Sequence, residues 1–105
     1  MSDAAITRAL EIADTRYPND PVITAIAKKL RIHRTLAEAE ARDHATSLAG
    51  YRKGMAGKDG YGQLQEFDLG LIGGVMREAS RLYEVAVVTE VLVVALRALG
   101  EEIDD

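Results

Sequence analysis

The chain has 105 residues, no cysteine, no tryptophan and a net charge of -4 at pH 7. A chain of this length forms one domain with a single modest core. The lack of cysteine excludes disulfides, thiolate metal sites and cysteine nucleophiles. With 1 Phe and 4 Tyr, the chain offers few aromatic side chains for stacking on single-stranded nucleic acid.

The placement of charges also limits where the protein is expected to act. Asp3, Arg8, Glu11 and Asp14 interrupt the first stretch of the chain, which therefore lacks the apolar core of a signal peptide. The longest apolar runs are far shorter than the ~20 residues that span a bilayer. We therefore expect a cytoplasmic protein without membrane contact.

The first predicted element is a helix over residues 3–16. Pro18 pushes the residue before it out of helical geometry and ends this helix. Asp20 and Pro21 have the residue types of an N-cap and a first helical position, so a second helix is predicted to begin at about Pro21. The apolar residues of the first helix recur at spacings of three and four, which places them on one face: they are Ala5, Ile6, Ala9, Leu10, Ala13 and Tyr17.

The second helix is predicted over residues 21–49. His33 and His44 are 11 residues apart, about three helical turns, so both project towards the same side. The ~16 Å between them is too long for one metal ion to bind both. We therefore expect structural histidines and no metal site. The apolar line of this helix includes alanines that allow another helix to approach closely: Ile26, Leu30, His33, Ala37, Ala41, His44 and Leu48.

Residues 54–62, GMAGKDGYG, contain four glycines and are predicted to form a joint after the second helix. A phosphate-binding loop needs Ser or Thr after its lysine and an earlier glycine, but Asp59 follows Lys58 and Arg52 stands at the glycine position. No cofactor site is therefore predicted, and the joint is interpreted as an interaction loop, with loose anion or nucleic-acid binding as the alternative. The residues expected to contact a partner there are Arg52, Lys53, Lys58 and Tyr61.

The third helix is predicted over residues 65–99, with Gly100 as its C-terminal cap. Gly73 and Gly74 leave two interpretations open: the helix breaks there, or these small residues admit a close neighbour such as the alanine-rich second helix. The segment 85–96, VAVVTEVLVVAL, is apolar almost all round. Its valines also suit a strand, but its alanines and leucines favour helix, and a lone strand has no partner in this chain.

Two charged residues lie near one apolar side of the third helix. Glu90 and Arg97 fall close to the azimuth of Ile72, Met76 and Tyr83. One helix places the two charges ~10 Å apart, so an antiparallel second copy is needed to join them. We predict that Glu90 and Arg97 contact a partner, and a solvated helix edge is the alternative. The final EEIDD is predicted to be a solvated acidic tail.

The stretch IAKKLRIHRT, residues 26–35, resembles a helix-turn-helix unit. Ile26, Ala27, Leu30 and Ile32 match the buried positions of such units, and the next three residues match the start of a recognition helix. The resemblance implies a DNA-binding regulator that reads the major groove and binds phosphates. The alternative is one continuous helix, because an arginine stands where the turn usually has glycine. The residues implied for DNA contact are Lys28, Lys29, Arg31, His33, Arg34 and Thr35.

Together these patterns predict one all-α domain of three or four helices, built on a long antiparallel hairpin of helices 21–49 and 65–99. The apolar surface all round 85–96 exceeds what one partner helix covers, which predicts a dimer or larger homo-oligomer. The favoured function is a non-enzymatic interaction or assembly protein, adaptor- or inhibitor-like, with an unidentified protein partner. Small phage-encoded or accessory bacterial proteins have this character. A DNA-binding regulator using residues 26–36 is the alternative function.

Overall fold

The computed structural model describes residues 2–55 and 64–103, with side chains described over 2–46, at 49 and over 72–103. The chain forms α1 (Asp3–Arg16), α2 (Pro21–Met55) and α3 (Leu64–Ala98). Helices α2 and α3 pack as an antiparallel hairpin, and α1 packs against both. This all-α hairpin bundle confirms the predicted fold class. The molecule measures 60 × 21 × 17 Å, because each long helix of 35 residues extends for about 52 Å.

Local chemistry sets both ends of α1. The Oγ atom of Ser2 accepts a hydrogen bond from the Ala5 N–H at 3.2 Å, which satisfies a donor that the first helical turn leaves free. The helix ends at Arg16, one residue before the Tyr17–Pro18 pair. The predicted bounds of this helix are therefore confirmed, and Ser2 is a cap that the sequence analysis missed.

Helix α2 begins as predicted and ends later than predicted. Oδ1 of Asp20 accepts hydrogen bonds from the N–H groups of Val22 and Ile23, at 2.9 and 3.1 Å, which confirms the N-cap. The helix continues to Met55 rather than ending at residue 49. A glycine in a helix costs ~1 kcal/mol but does not by itself end it. The first two residues of the predicted joint are helical, and residues 56–62 of that joint lie outside the described part of the chain.

Helix α3 runs without a break through Gly73 and Gly74. A Cβ atom added at either glycine would meet, among the described residues, only the guanidinium of Arg77, at 3.5 Å from Gly73 and 3.9 Å from Gly74. The helix does not break at these glycines, so the first interpretation is wrong. The α2 side chains at 47, 48 and 50–55 lie outside the described part of the chain, so a close approach of α2 to Gly73 and Gly74 stays a prediction. The valine-rich segment 85–96 is helical, which confirms helix over strand.

The end of α3 is a glycine cap. Gly100 has a φ of 94°, a left-handed conformation that glycine adopts without a Cβ clash. The Gly100 N–H donates to the Arg97 carbonyl at 3.0 Å, and the Glu101 N–H donates to the Leu96 carbonyl at 3.1 Å. These two bonds form a Schellman motif, so the predicted cap is confirmed.

The hydrophobic core lies at the end of the hairpin where α1 packs. Helix α1 adds its buried face to the start of α2 and the last turns of α3. Beyond α1, the hairpin continues as two helices alone. The largest fully buried apolar side chains are Ile12, Ile23, Leu30, Leu92, Val93 and Leu96.

Residues 101–103 fold back onto the bundle instead of extending into solvent. Glu101 accepts hydrogen bonds from Nη1 of Arg16 at 2.5 Å and from the Tyr17 hydroxyl at 3.0 Å. The side chain of Ile103 is buried, and its carbonyl accepts two bonds from the Arg97 guanidinium, at 3.2 and 2.6 Å. The prediction of a solvated tail is therefore wrong for Glu101 and Ile103, which contact the bundle, whereas Glu102 is exposed.

Candidate interaction surface

Helix α3 is apolar on two opposite faces. The buried face points towards α1 and α2, and its members recur at helical spacing. They are Val85, Thr89, Leu92, Val93 and Leu96.

The opposite face of α3 is exposed. Tyr83 is 72% exposed and Met76 is 66% exposed, so the two largest side chains of this face have little cover from the bundle. The face extends for ~33 Å along the helix. Within the described helices, no segment is long and apolar enough to cross a membrane. We call this surface the outer face, and it consists of Ile72, Met76, Tyr83, Val87, Val91 and Val94.

Three charged residues of α3, Arg77, Glu78 and Glu84, contact α2. Charges on a surface helix normally cover its solvent side. In this hairpin they contact polar side chains of α2 across the seam between the two long helices. The pairs are Arg77 with Glu40 at 3.3 Å, Glu78 with His44 at 2.7 Å, and Glu84 with His33 at 3.1 Å.

Both histidines connect α2 to α3. Nδ1 of His44 shares a hydrogen bond with Oε2 of Glu78. Nδ1 of His33 is buried and lies within ion-pair distance of Glu84, without the alignment of a hydrogen bond. The predicted position of both histidines on the side of α2 that meets the neighbouring helix is confirmed. Among the described residues, no three His, Asp or Glu side chains are grouped to hold a metal ion.

A shallow groove of about 270 Å³ continues the outer face onto α2. Ile32 and Leu36, both exposed, follow Lys29 by three and seven residues and so border the groove from the α2 side. Helix α1 occupies the other side of the hairpin, where Asp14 pairs with Arg31. The lining of the groove is Lys29, His33, Tyr83, Glu84, Val87 and Val88.

Residues 26–35 lie inside the uninterrupted helix α2. The helix-turn-helix resemblance needs a turn after Leu30, and the backbone has none at that point. The continuous-helix alternative is therefore the correct description of this stretch. Of the positions that match a helix-turn-helix core, Leu30 and Ala27 are buried in the bundle, whereas Ile32 is exposed.

The six residues implied for DNA contact do not share one surface. Arg31 pairs with Asp14 of α1, whereas Lys29 lines the groove on the opposite side of the hairpin. His33 contacts Glu84, and the Thr35 hydroxyl donates to the Arg31 carbonyl at 3.0 Å. Lys28 is exposed and Arg34 is half-buried beside α1.

The residues predicted to contact a partner are spread along the hairpin. Glu90 is exposed at the centre of the outer-face azimuth, and no described residue forms an ion pair with it. Arg97 binds the Ile103 carbonyl. The side chains of Arg52 and Lys53 lie outside the described part of α2, and Lys58 and Tyr61 lie outside the described residues.

The sequence analysis placed Ile72, Met76 and Tyr83 on one side of the third helix without including them in the partner-binding set. A signal for the outer face is present in the sequence. The charged residues between Arg77 and Glu84 lie off the azimuth of Ile72, Met76 and Tyr83, and the charges near that azimuth are Glu90 and Arg97. Such a pattern is typical of a helix that is covered on both sides.

Comparison with protein families, with curated proteins and with solved structures finds no match to this chain. The functional assignment therefore depends on the geometry of the outer face and the hairpin.

Proposed function

We propose that this protein is a non-enzymatic interaction or assembly protein that binds other protein chains through the outer face of α3. The observation that carries the proposal is the exposure of Met76, Tyr83 and their neighbours along one side of the helix, while the nearby charges pair with α2. An apolar surface of this kind gains free energy when a partner removes it from water.

The size of the surface supports a protein partner. With the adjoining Ile32 and Leu36, the exposed parts of the outer-face side chains amount to roughly 800 Å². The largest apolar patch of a typical monomer is about 300–600 Å², and patches above that range mark interaction sites. Transfer of apolar area from water contributes ~25 cal/mol per Å², so a long contact on this face offsets the entropy lost on association.

The shape of the surface favours a helix as the bound element. The outer face is straight and continuous over ~33 Å, and side chains recur along it at the spacing that receives the ridges of a second helix. Tyr83 and Met76 are the large anchors of the kind that dominate interface energetics. Glu90, a single charge in this surface, contributes to the choice of partner orientation.

The proposal is tested by capture from the organism that encodes the chain. The wild-type protein, Tyr83→Glu and Ala4→Glu serve as baits. Ala4 is exposed on α1, so Ala4→Glu adds the same charge away from the outer face. We expect the proteins retained by the wild type to be lost with Tyr83→Glu and kept with Ala4→Glu, while circular dichroism verifies equal helicity. Equal retention by all three baits would contradict the proposal.

One further measurement distinguishes the proposed function from the DNA-binding alternative. A regulator that used residues 26–36 would bind duplex DNA with an affinity that falls steeply as salt rises, and Arg34→Ala would abolish this binding. We expect no retention of this kind, because Arg31 and His33 are engaged in contacts within the bundle.

A further inference from the structure

We propose that the outer face is occupied by a second copy of this chain, in an antiparallel two-fold dimer centred on Tyr83. This inference rests on the proposed function, since it names the partner of the same surface. The dimer brings the outer face of one α3 against the outer face of the other. In each copy, the groove that contains Lys29 and is bordered by Leu36 lies next to this contact.

The area of the surface matches what a stable dimer needs. A standard interface buries ~800 Å² on each partner, and the outer face with Ile32 and Leu36 offers roughly 800 Å². A two-fold interface uses one patch that is complementary to itself. A straight apolar stripe on a helix meets this condition, because an identical stripe has the same length and the same side-chain spacing.

Glu90 decides between the parallel and antiparallel arrangements. A parallel pair of α3 helices would place equal residues at one level, so the two Glu90 carboxylates would lie together in an apolar seam. Like charges placed in an interface cost several kcal/mol. An antiparallel pair separates the two carboxylates along the axis and also opposes the helix dipoles.

The length of the outer face fixes the register. The face begins at Ile72 and ends at Val94, and full overlap of two antiparallel copies places its midpoint, Tyr83, on the two-fold axis. Each Glu90 then lies opposite Met76 of the other copy, and the two Glu90 residues are separated by ~21 Å along the axis. The exposed Ala79 and Ala86 flank the midpoint and allow close approach of the helices.

The first test is the mass in solution. Sedimentation equilibrium of the full chain, from the low micromolar range upwards, is expected to give twice the chain mass of 11.4 kDa. Tyr83→Glu is expected to weaken dimerisation at least about 100-fold, as for loss of a central aromatic anchor from both copies. Ala4→Glu is expected to leave the dissociation constant unchanged.

The second test reads the orientation by disulfide formation, which is feasible because the chain has no cysteine of its own. At a helix separation of 8–10 Å, Cα atoms that face each other lie within reach of a disulfide. Tyr83→Cys is expected to form a dimer with itself under mild oxidation. Met76→Cys is expected to form a dimer with Glu90→Cys more readily than with itself. Ala4→Cys is the control and is expected to stay reduced.

The possible outcomes separate this inference from the proposed function. A monomer mass throughout the concentration range overturns the dimer, and a preference of Met76→Cys for itself overturns the antiparallel arrangement. If the chain is a monomer but the Tyr83→Glu bait still loses a captured protein, the proposed function stands and the second copy is the wrong occupant. If the chain is a monomer and all baits capture alike, both proposals are wrong.

Discussion

Individual side chains at the α1 end of the hairpin account for most of the core. Leu30, Leu92 and Leu96 are fully buried. Leu30 lies on α2 and the other two lie on α3, in the core that all three helices form. Side chains in such positions contribute the free energy of transfer from water and leave a cavity when truncated. The loss of unfolding free energy on truncation is therefore expected to be larger for these leucines than for the exposed leucines of the same chain.

We expect Leu92→Ala to lower the free energy of unfolding by about 2–5 kcal/mol, because the cavity adds to the lost transfer energy. Leu99→Ala is the matched control, since Leu99 is 48% exposed, and its loss is expected to be below about 1 kcal/mol. Urea denaturation followed by circular dichroism measures both values. Equal losses in the two variants would show that the core lies elsewhere.

The contact of Glu101 with Arg16 and Tyr17 makes one part of the stability dependent on pH. The hydrogen bond from Arg16 holds the pKa of the Glu101 carboxyl below its usual value, although burial opposes this shift. The hydrogen bond to Glu101 raises the pKa of the Tyr17 hydroxyl above its ordinary value of 10.0. The carboxylate therefore contributes stability above the unfolded pKa of Glu101, and the protonated hydroxyl contributes below the unfolded pKa of Tyr17.

We expect Glu101→Gln to be less stable than the wild type at neutral pH. The difference is expected to shrink as the pH falls through the folded pKa of Glu101, because the wild-type carboxylate is then protonated. The contribution of the Tyr17 hydroxyl is expected to be lost only as the pH rises through its folded pKa. Unfolding curves of both proteins, from strong acid to alkaline pH, measure the difference in stability at each pH. A difference that stays constant into strong acid would contradict the assignment.

At the scale of the elements, helix α3 carries two kinds of glycine. Gly73 and Gly74 lie inside the helix, where an added Cβ meets the flexible Arg77 side chain at ordinary contact distance. Gly100 lies beyond the helix end with a φ of 94°. The first two lose conformational entropy without a steric reason among the described residues, whereas the third adopts a conformation that L residues disfavour.

We expect Gly73→Ala and Gly74→Ala each to raise the free energy of unfolding by up to about 1 kcal/mol, which is the difference in helix propensity between the two residues. Gly100→Ala provides the opposite case and is expected to lower the free energy of unfolding by about 1 kcal/mol, because alanine is strained in the left-handed region. Thermal unfolding of the three variants tests the signs. A loss of stability at Gly73 would mean that a neighbour approaches it closely.

The packing of the helices differs along the 60 Å axis of the molecule. At one end, three helices bury the core, and farther along the hairpin, in the part whose side chains are described, α2 and α3 meet through the polar seam of Glu40, His44, Arg77 and Glu78. Regions with few buried apolar contacts open more readily. We therefore expect this two-helix stretch to be less stable than the core.

We expect amide hydrogen exchange to be slowest around Leu30 and Leu92–Leu96 and faster by orders of magnitude at residues 40–46 and 74–80. Native-state exchange followed by mass spectrometry or NMR gives the two rates. The Tyr83→Glu variant provides a control for association, since a dimer slows exchange along the outer face. Uniform protection along both long helices in this variant would contradict the gradient.

The sequence by itself determined three helix boundaries, because start and stop signals depend on local chemistry. Asp20 caps α2, Pro18 ends α1 and Gly100 ends α3 as predicted. The end of α2 was not predictable in this way, since the cost of Gly50 in a helix is small beside the packing of a long hairpin. The folded-back Glu101 and Ile103 also depend on contacts with residues far away in the chain.

Only the tertiary structure decided which apolar side of α3 becomes core. Periodicity identifies a buried face when the opposite face is polar, but α3 has Leu92 on one side and Tyr83 on the other, and both sides fit the helical spacing. The position of α1 and the ion pairs with α2 select the Leu92 side. The candidate surface is the apolar side of α3 that does not pack in the core. The sequence identifies its residues as apolar, but their exposure depends on how the whole chain packs.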